Sequence, residues 1–178
     1  MRKLVESTFV SLDGVIQEPQ NWSAPYWDDE HSAYATKLLF ASDALVLGRA
    51  TYDIFIASWP LRSGDPLTDR MNSMPKHVAS RTLSDTTWNT SLLEGDAVEA
   101  VAQLKEQPGD GTLLKYGTGD FSRQLVEKGL VDELHLWFFP VVAGEGDRLL
   151  EGLPLTHVKL RETTRFGSGI VVNVYGTD

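Results

Sequence analysis

With 178 residues, 42% of them hydrophobic and 23% charged, the chain has the length of one domain and can bury a core without metal or disulfide support. It contains no cysteine, which excludes a disulfide framework, a thiol nucleophile and Cys-ligated zinc or iron–sulfur centres. Sixteen Lys and Arg against 25 Asp and Glu leave a net charge of −9, which argues against a broad cationic face for nucleic acid.

In chain order, Leu4 to Val10 is a β-rich run that ends at the turn Ser11-Leu12-Asp13-Gly14. Val15-Ile16 leads into a loop, Gln17 to Trp27, rich in Pro, Asn, Ser and Trp. Asp28 to Phe40 is predicted to be helical: Tyr34, Leu38 and Leu39 recur at helical spacing behind Asp28, Asp29 and Glu30, which suit a helix N-terminus. Ala44 to Leu47 is a continuous apolar run that stops at Gly48, the pattern of a strand buried on both faces. Thr51 to Ser58 reads as a helix, Arg62 to Asp69 as a long loop, and Val78-Ala79 as a short strand. Ala97 to Glu106 is a further helix, and the strand Gly111 to Tyr116 feeds Gly117-Thr118-Gly119 and a helix from Asp120 to Lys128. A long aromatic β segment spans Leu130 to Val142, and the tail reads as a hairpin of His157 to Arg165 and Gly169 to Tyr175.

Alternating strands and helices followed by a hairpin predict an α/β fold whose sheet is parallel in its middle and antiparallel at one edge. No repeat or linker divides the chain, so residues 1–178 are expected to form one domain. No apolar run approaches the ~20 residues of a spanning helix and no signal peptide is evident, so no membrane partner and a cytoplasmic location are expected.

Ligands in open α/β sheets bind beyond the carboxyl ends of the strands. Three Gly turns follow predicted strands: Asp13-Gly14, Gly48-Arg49-Ala50-Thr51 and Gly117-Thr118-Gly119. Each is also what a tight bend needs. Gly117-Thr118-Gly119 opens a helix after a strand, where free N–H groups and the helix dipole favour an anion such as a pyrophosphate. Arg49 with Thr51, and Ser80 with Arg81, each offer a guanidinium beside a hydroxyl at a strand exit, a pairing suited to phosphate.

The cluster Asp28, Asp29 and Glu30 with His31 can supply a proton donor or grip a substrate N–H edge, or else compensate the helix dipole. Trp22, Trp27, Phe55 and Trp59 can wall a planar heterocycle, or be core. His77, His135 and His157 stand alone, so no metal site is expected. G-x-S-x-G, Walker and H-E-x-x-H motifs are absent from the sequence, which leaves hydrolase and NTPase readings without support.

The ordered set Ser11-Leu12-Asp13-Gly14-Val15-Ile16, Leu47-Gly48-Arg49-Ala50-Thr51-Tyr52, Ser80-Arg81, Tyr116-Gly117-Thr118-Gly119, Leu130-Val131-Asp132-Glu133-Leu134 and Pro140 to Gly146 closely resembles the dihydrofolate reductase-like superfamily. Within it the chain is similar to single-domain bacterial proteins related to the riboflavin-biosynthesis reductase domain. The resemblance spans nearly the whole chain and implies a three-layer α/β/α fold around a mixed sheet that binds NADPH across the strand ends. It carries cofactor binding over to Gly48, Arg49, Thr51, Ser80, Arg81, Gly117, Thr118, Gly119 and Asp120, with Arg49 and Arg81 near the 2′-phosphate.

The expected activity is hydride transfer from NADPH to a C=N-type bond of a pterin- or pyrimidine-like heterocycle. Asp13 or the Asp28, Asp29 and Glu30 cluster would handle protonation or anchoring, and Trp22, Trp27, Phe55 and Trp59 would contact the ring. The alternative is a nucleotide- or pterin-binding module on the same fold without efficient turnover. Trp137, Phe138 and Phe139 in succession put aromatics on both faces of one strand, from which a homodimer is expected.

Overall fold

The computed structural model describes residues 1–176; the final two residues of the expected domain lie outside the described residues. Eight strands are present: β1 (Leu4–Ser11), β2 (Ser42–Gly48), β3 (Lys76–Ala79), β4 (Thr90–Leu92), β5 (Thr112–Tyr116), β6 (Glu133–Phe139), β7 (Lys159–Arg165) and β8 (Val171–Gly176). They form one sheet in the order β4-β3-β2-β5-β1-β6-β8-β7. Pairing is parallel from β4 to β6 and antiparallel for β6 with β8 and β8 with β7, so the expected α/β sheet with a parallel middle and an antiparallel C-terminal hairpin is what forms.

The helices are α1 (Asp29–Phe40), α2 (Arg49–Ile56), α3 (Pro66–Ser73), α4 (Ala97–Glu106) and α5 (Asp120–Glu127). Strand side chains alternate between two apolar layers. Leu4, Val10, Val46 and Leu113 pack with Val101 and Leu104 of α4 and Leu125 of α5. Val5, Leu45, Leu47 and Leu114 pack on the other face with Leu39 of α1, Tyr52 of α2 and Met71 of α3. Farther along that face, Trp137 and Phe139 of β6 join Phe166, Ile170 and Val172. Helices on both faces make the three-layer α/β/α arrangement.

Caps explain several helix starts. The Asp28 carboxylate accepts from the His31 amide at 2.8 Å to open α1, and Asp96 does the same for α4 with the amides of Val98 and Glu99. Three elements depart from the sequence reading. Part of the expected loop Arg62 to Asp69 is the first turn of α3, where Asp65 accepts from the Thr68 amide and Pro66 takes the first helical position. The three-residue edge strand β4 has no apolar run to announce it. The aromatic segment is also shorter than Leu130 to Val142, since β6 stops before Pro140, which cannot donate to a ladder.

Parallel strands send the exits of β1, β2, β3, β5 and β6 to one edge of the sheet. That edge holds the turns singled out above.

Candidate functional site

At the exit of β2, Gly48 is the N-cap of α2 and Arg49 its first residue. Arg49 Nη1 donates to Thr82 Oγ1 at 3.2 Å and reaches Ser80 Oγ at 3.5 Å, while Nε is paired with Asp53 at 2.8 Å. The guanidinium thus joins the ends of β2 and β3, and its side chain stays 40% exposed. Ser80 Oγ in turn accepts from the amides of Thr82 and Leu83, which folds the chain after β3 around that hydroxyl. Arg81 is exposed beside it.

Beside them, β5 leads into Gly117, whose amide donates to Ser7 O of β1 at 3.1 Å. Gly117 has φ +73, a left-handed conformation costly for other residues, and a Cβ there would stand 2.9 Å from Thr51 Oγ1. The α2 start and the Gly117 turn therefore abut. Thr118 Oγ1 is buried without a hydrogen bond, and a Cβ at Gly48 or Gly119 would meet nothing within 4 Å. Gly119 caps α5, and Asp120 in its first turn is 90% exposed and paired with Arg123 at 3.3 Å. Arg49, Ser80, Thr51, Gly117, Thr118 and Gly119 are thus assembled along one sheet edge.

The turn after β1 is differently built. Asp13 Oδ1 accepts from Ser11 Oγ at 2.6 Å and the Ala143 amide at 3.0 Å, and Oδ2 accepts from the Gly144 amide at 2.8 Å. These bonds, Ser11 first, hold its carboxyl well below the usual carboxylate range. Arg148 Nη1 donates to Asp13 O. The segments 15–22 and 141–146 enclose an open cleft of about 590 Å³ lined by Val15, Gln17, Trp22, Val141, Ala143 and Gly146. That volume is in the range of small-molecule sites.

Over the same end of β1 and β6 lies an aromatic box. Trp27 stacks on His31 with ring centroids 5.3 Å apart, and His31 contacts Phe9 and Trp137 at 5.6 and 5.1 Å. Burial pushes the His31 pKa down, against the pull of Asp28, and its Nε2 is buried without a hydrogen bond. Trp22 packs edge-on against Phe139, while Phe55 contacts Trp59 and Tyr116 in the other cluster on this face. The four rings therefore do not form one wall: Phe55 and Trp59 meet each other, while Trp22 packs on Phe139 and Trp27 on His31.

The acidic cluster is dispersed. Asp28 is occupied as the α1 cap, Glu30 Oε2 accepts from the Gly167 amide of the β7–β8 turn at 2.6 Å, and Asp29 is exposed. Sequence reasoning overlooked the polar floor beneath Gly117. There Glu6 and Lys115, cross-strand neighbours on β1 and β5, are buried with Ser122. Their signal was a charged residue at an inward-facing position within each apolar strand.

This combination of sheet, helix layers and strand-exit turns defines a reductase-like α/β domain of the dihydrofolate reductase-like superfamily. More narrowly, residues 2–172 match the RibD C-terminal domain, and the chain belongs to that family. It is 30% identical over 180 residues to the uncharacterised protein YyaP of Bacillus subtilis (strain 168), covering 98% of this chain and 94% of that one. Its fold is similar to that of a putative riboflavin biosynthesis protein from Shewanella sp. PV-4, with a TM-score of 0.73 at 20% identity over 99% of both chains. A pyrimidine reductase-like protein from Corynebacterium diphtheriae superposes with a TM-score of 0.64 at 14% identity, over 99% of this chain and 92% of the other. Among the described residues no helix is long and apolar enough to cross a membrane.

Proposed function

We propose that the protein is an NADPH-dependent reductase that acts on a C=N-type bond of a pterin- or pyrimidine-like heterocycle. The observation that carries the reading is the convergence of Arg49, Ser80, Thr51 and the Gly117 turn at one sheet edge, in a chain of the RibD C-terminal domain family. Open space beside Gly48 and Gly119 and the unpartnered Thr118 hydroxyl fit a dinucleotide laid along that edge. Gly117, Thr118, Gly119 and the first turn of α5 at Asp120 would hold its pyrophosphate, and Gly48, Arg49, Thr51, Ser80 and Arg81 its adenosine end, with the two arginines favouring a 2′-phosphate. When bound, the nicotinamide supplies the hydride.

The protein's own contribution is binding, orientation and exclusion of water. Trp22 and Trp27 approach the heterocycle from the β1–β6 side and Phe55 and Trp59 from the β2–β5 side, with Asp13 setting the width of the cleft through Ala143 and Gly144. Asp29 is the carboxylate of the first helix that accepts none of the hydrogen bonds occupying Asp28 and Glu30. The test is loss of nicotinamide absorbance when enzyme and NADPH are mixed with a panel of pterins and pyrimidines. Turnover of one heterocycle supports the reductase; none across the panel and across pH counts against it. A second reading, a binding module on the same fold, is favoured by the structural occupation of Asp13, Asp28 and Glu30, and predicts tight NADPH or pterin binding without turnover.

The protein is also proposed to act in the cytoplasm as a homodimer. Trp137 and Phe139 are covered by their own chain, so the partner would cover the opposite face, where Phe138 and Tyr175 are half-buried and Leu160 is 52% exposed.

A further inference from the structure

Beneath the Gly117 turn the core contains an ion pair. Glu6 and Lys115 are paired in register on β1 and β5, project toward α4 and α5 among Leu4, Leu113 and Leu125, and are 0% and 2% exposed. Lys115 Nζ donates to Gly117 O at 2.6 Å and to Ser122 Oγ at 2.5 Å, and stands 3.3 Å from Glu6 Oε2. Ser122 Oγ also donates to Gly117 O at 3.3 Å. Neither Glu6 oxygen has a hydrogen bond of its own, and neither does Thr8 Oγ1, buried on the same side of β1.

Buried ion pairs are on average no more stabilising than apolar side chains of the same volume, and a carboxylate short of hydrogen bonds is a costly member of one. Stability therefore does not account for Glu6 and Lys115, whereas their position does. Lys115 fastens the Gly117 carbonyl downward into the core, at the residue whose left-handed φ sets the path into α5. The first amides of that helix have no intrahelical acceptors and are available to an anion above. The ammonium stands under the same turn, in a medium where charges are weakly screened.

We infer that Lys115 is a positioning residue for the pyrophosphate of a bound dinucleotide, shaping the Gly117–Asp120 turn and charging it from below, and that Glu6 is the counter-ion that offsets this charge. The inference rests on the dinucleotide reading of the crevice. Burial pushes the Glu6 carboxyl up, and the Lys115 ammonium and Ser122 hydroxyl beside it pull the other way.

The experiment compares wild type, Glu6→Gln and the neutral double variant Glu6→Gln/Lys115→Met, each first verified as folded by circular dichroism and thermal melting. NADPH dissociation constants are then read by tryptophan quenching at two salt concentrations. Glu6→Gln is expected to bind NADPH about three- to tenfold more tightly than wild type, because the opposing charge is gone. The double variant is expected to bind about tenfold or more weakly than Glu6→Gln, with a shallower salt dependence. A merely structural pair would move both variants the same way, in step with their melting temperatures, and that result, or a Glu6→Gln affinity equal to wild type, overturns the inference. Wild type that fails to bind NADPH at all overturns the dinucleotide reading itself and this inference with it.

Discussion

The Asp13 carboxylate accepts the Gly144 amide at 2.8 Å, tying the exit of β1 to the exit of β6 across 131 residues of chain. With the Ala143 amide on its other oxygen, this one side chain fixes the mouth of the cleft between segments 15–22 and 141–146. Asp13→Asn is expected to raise the exchange rates of the Ala143 and Gly144 amides while leaving those in β2 and β5 unchanged, as measured by hydrogen–deuterium exchange. The carboxyl titrates lower in the folded chain than its ordinary value of 3.8, so its contribution to stability is present above that value and lost as pH falls toward the folded one. The melting-temperature gap between wild type and Asp13→Asn should be constant above about pH 5 and shrink below about pH 4. A gap that widens with acid would contradict the assignment.

Arg49 links the ends of β2 and β3 through Thr82 and Ser80. Its pair with Asp53 is exposed, and such pairs contribute little to stability. Arg49→Ala should therefore leave the melting temperature nearly unchanged yet weaken NADPH binding by about tenfold or more, and weaken NADH binding less. Equal losses for both cofactors would remove the 2′-phosphate from its role.

Three histidines, His31, His77 and His135, have pKa values lowered by burial. The unfolded chain takes up protons at these side chains near 6.5, before the folded chain does, so stability should fall as pH drops through that value and level off below the folded values. His31 sits in the ring box with its Nε2 unpartnered. His31→Phe, which keeps the box aromatic, should flatten part of that decline in thermal melts taken from about pH 8 to about pH 5. Curves that stay parallel would show that His31 carries no share of it.

The sheet face carrying Phe138, Tyr175 and Leu160 supplies the dimer test. Light scattering at micromolar concentration should return twice the chain mass, and Leu160→Glu should return the single-chain mass with the fold intact. A monomeric wild type would refute the dimer.

Much of the architecture was legible in the sequence because burial leaves strong periodic marks. The doubly buried Ala44 to Leu47 run and the acidic start of α1 each settle an element within a few residues. α3 was obscured because only Leu67 and Met71 mark its apolar side, although Asp65-Pro66 is a recognisable cap and first residue. β4 is three residues of an edge and has no pattern to read. The strand-exit turns could be located because parallel strands all exit on one side. Which aromatic ring meets which cluster depends on how the loop 17–27 and α2 pack, and local spacing does not encode that. The same limit hid the occupation of Asp13 and Glu30 by backbone amides, which lie 130 or more residues away in the chain.

The most direct test of the NADPH crevice is titration of the wild-type protein with NADPH and, separately, with NADH, following its 5 tryptophans. Saturable quenching with NADPH bound at least about tenfold more tightly than NADH is the predicted result. Failure to bind either, or indifference between the two, would contradict it.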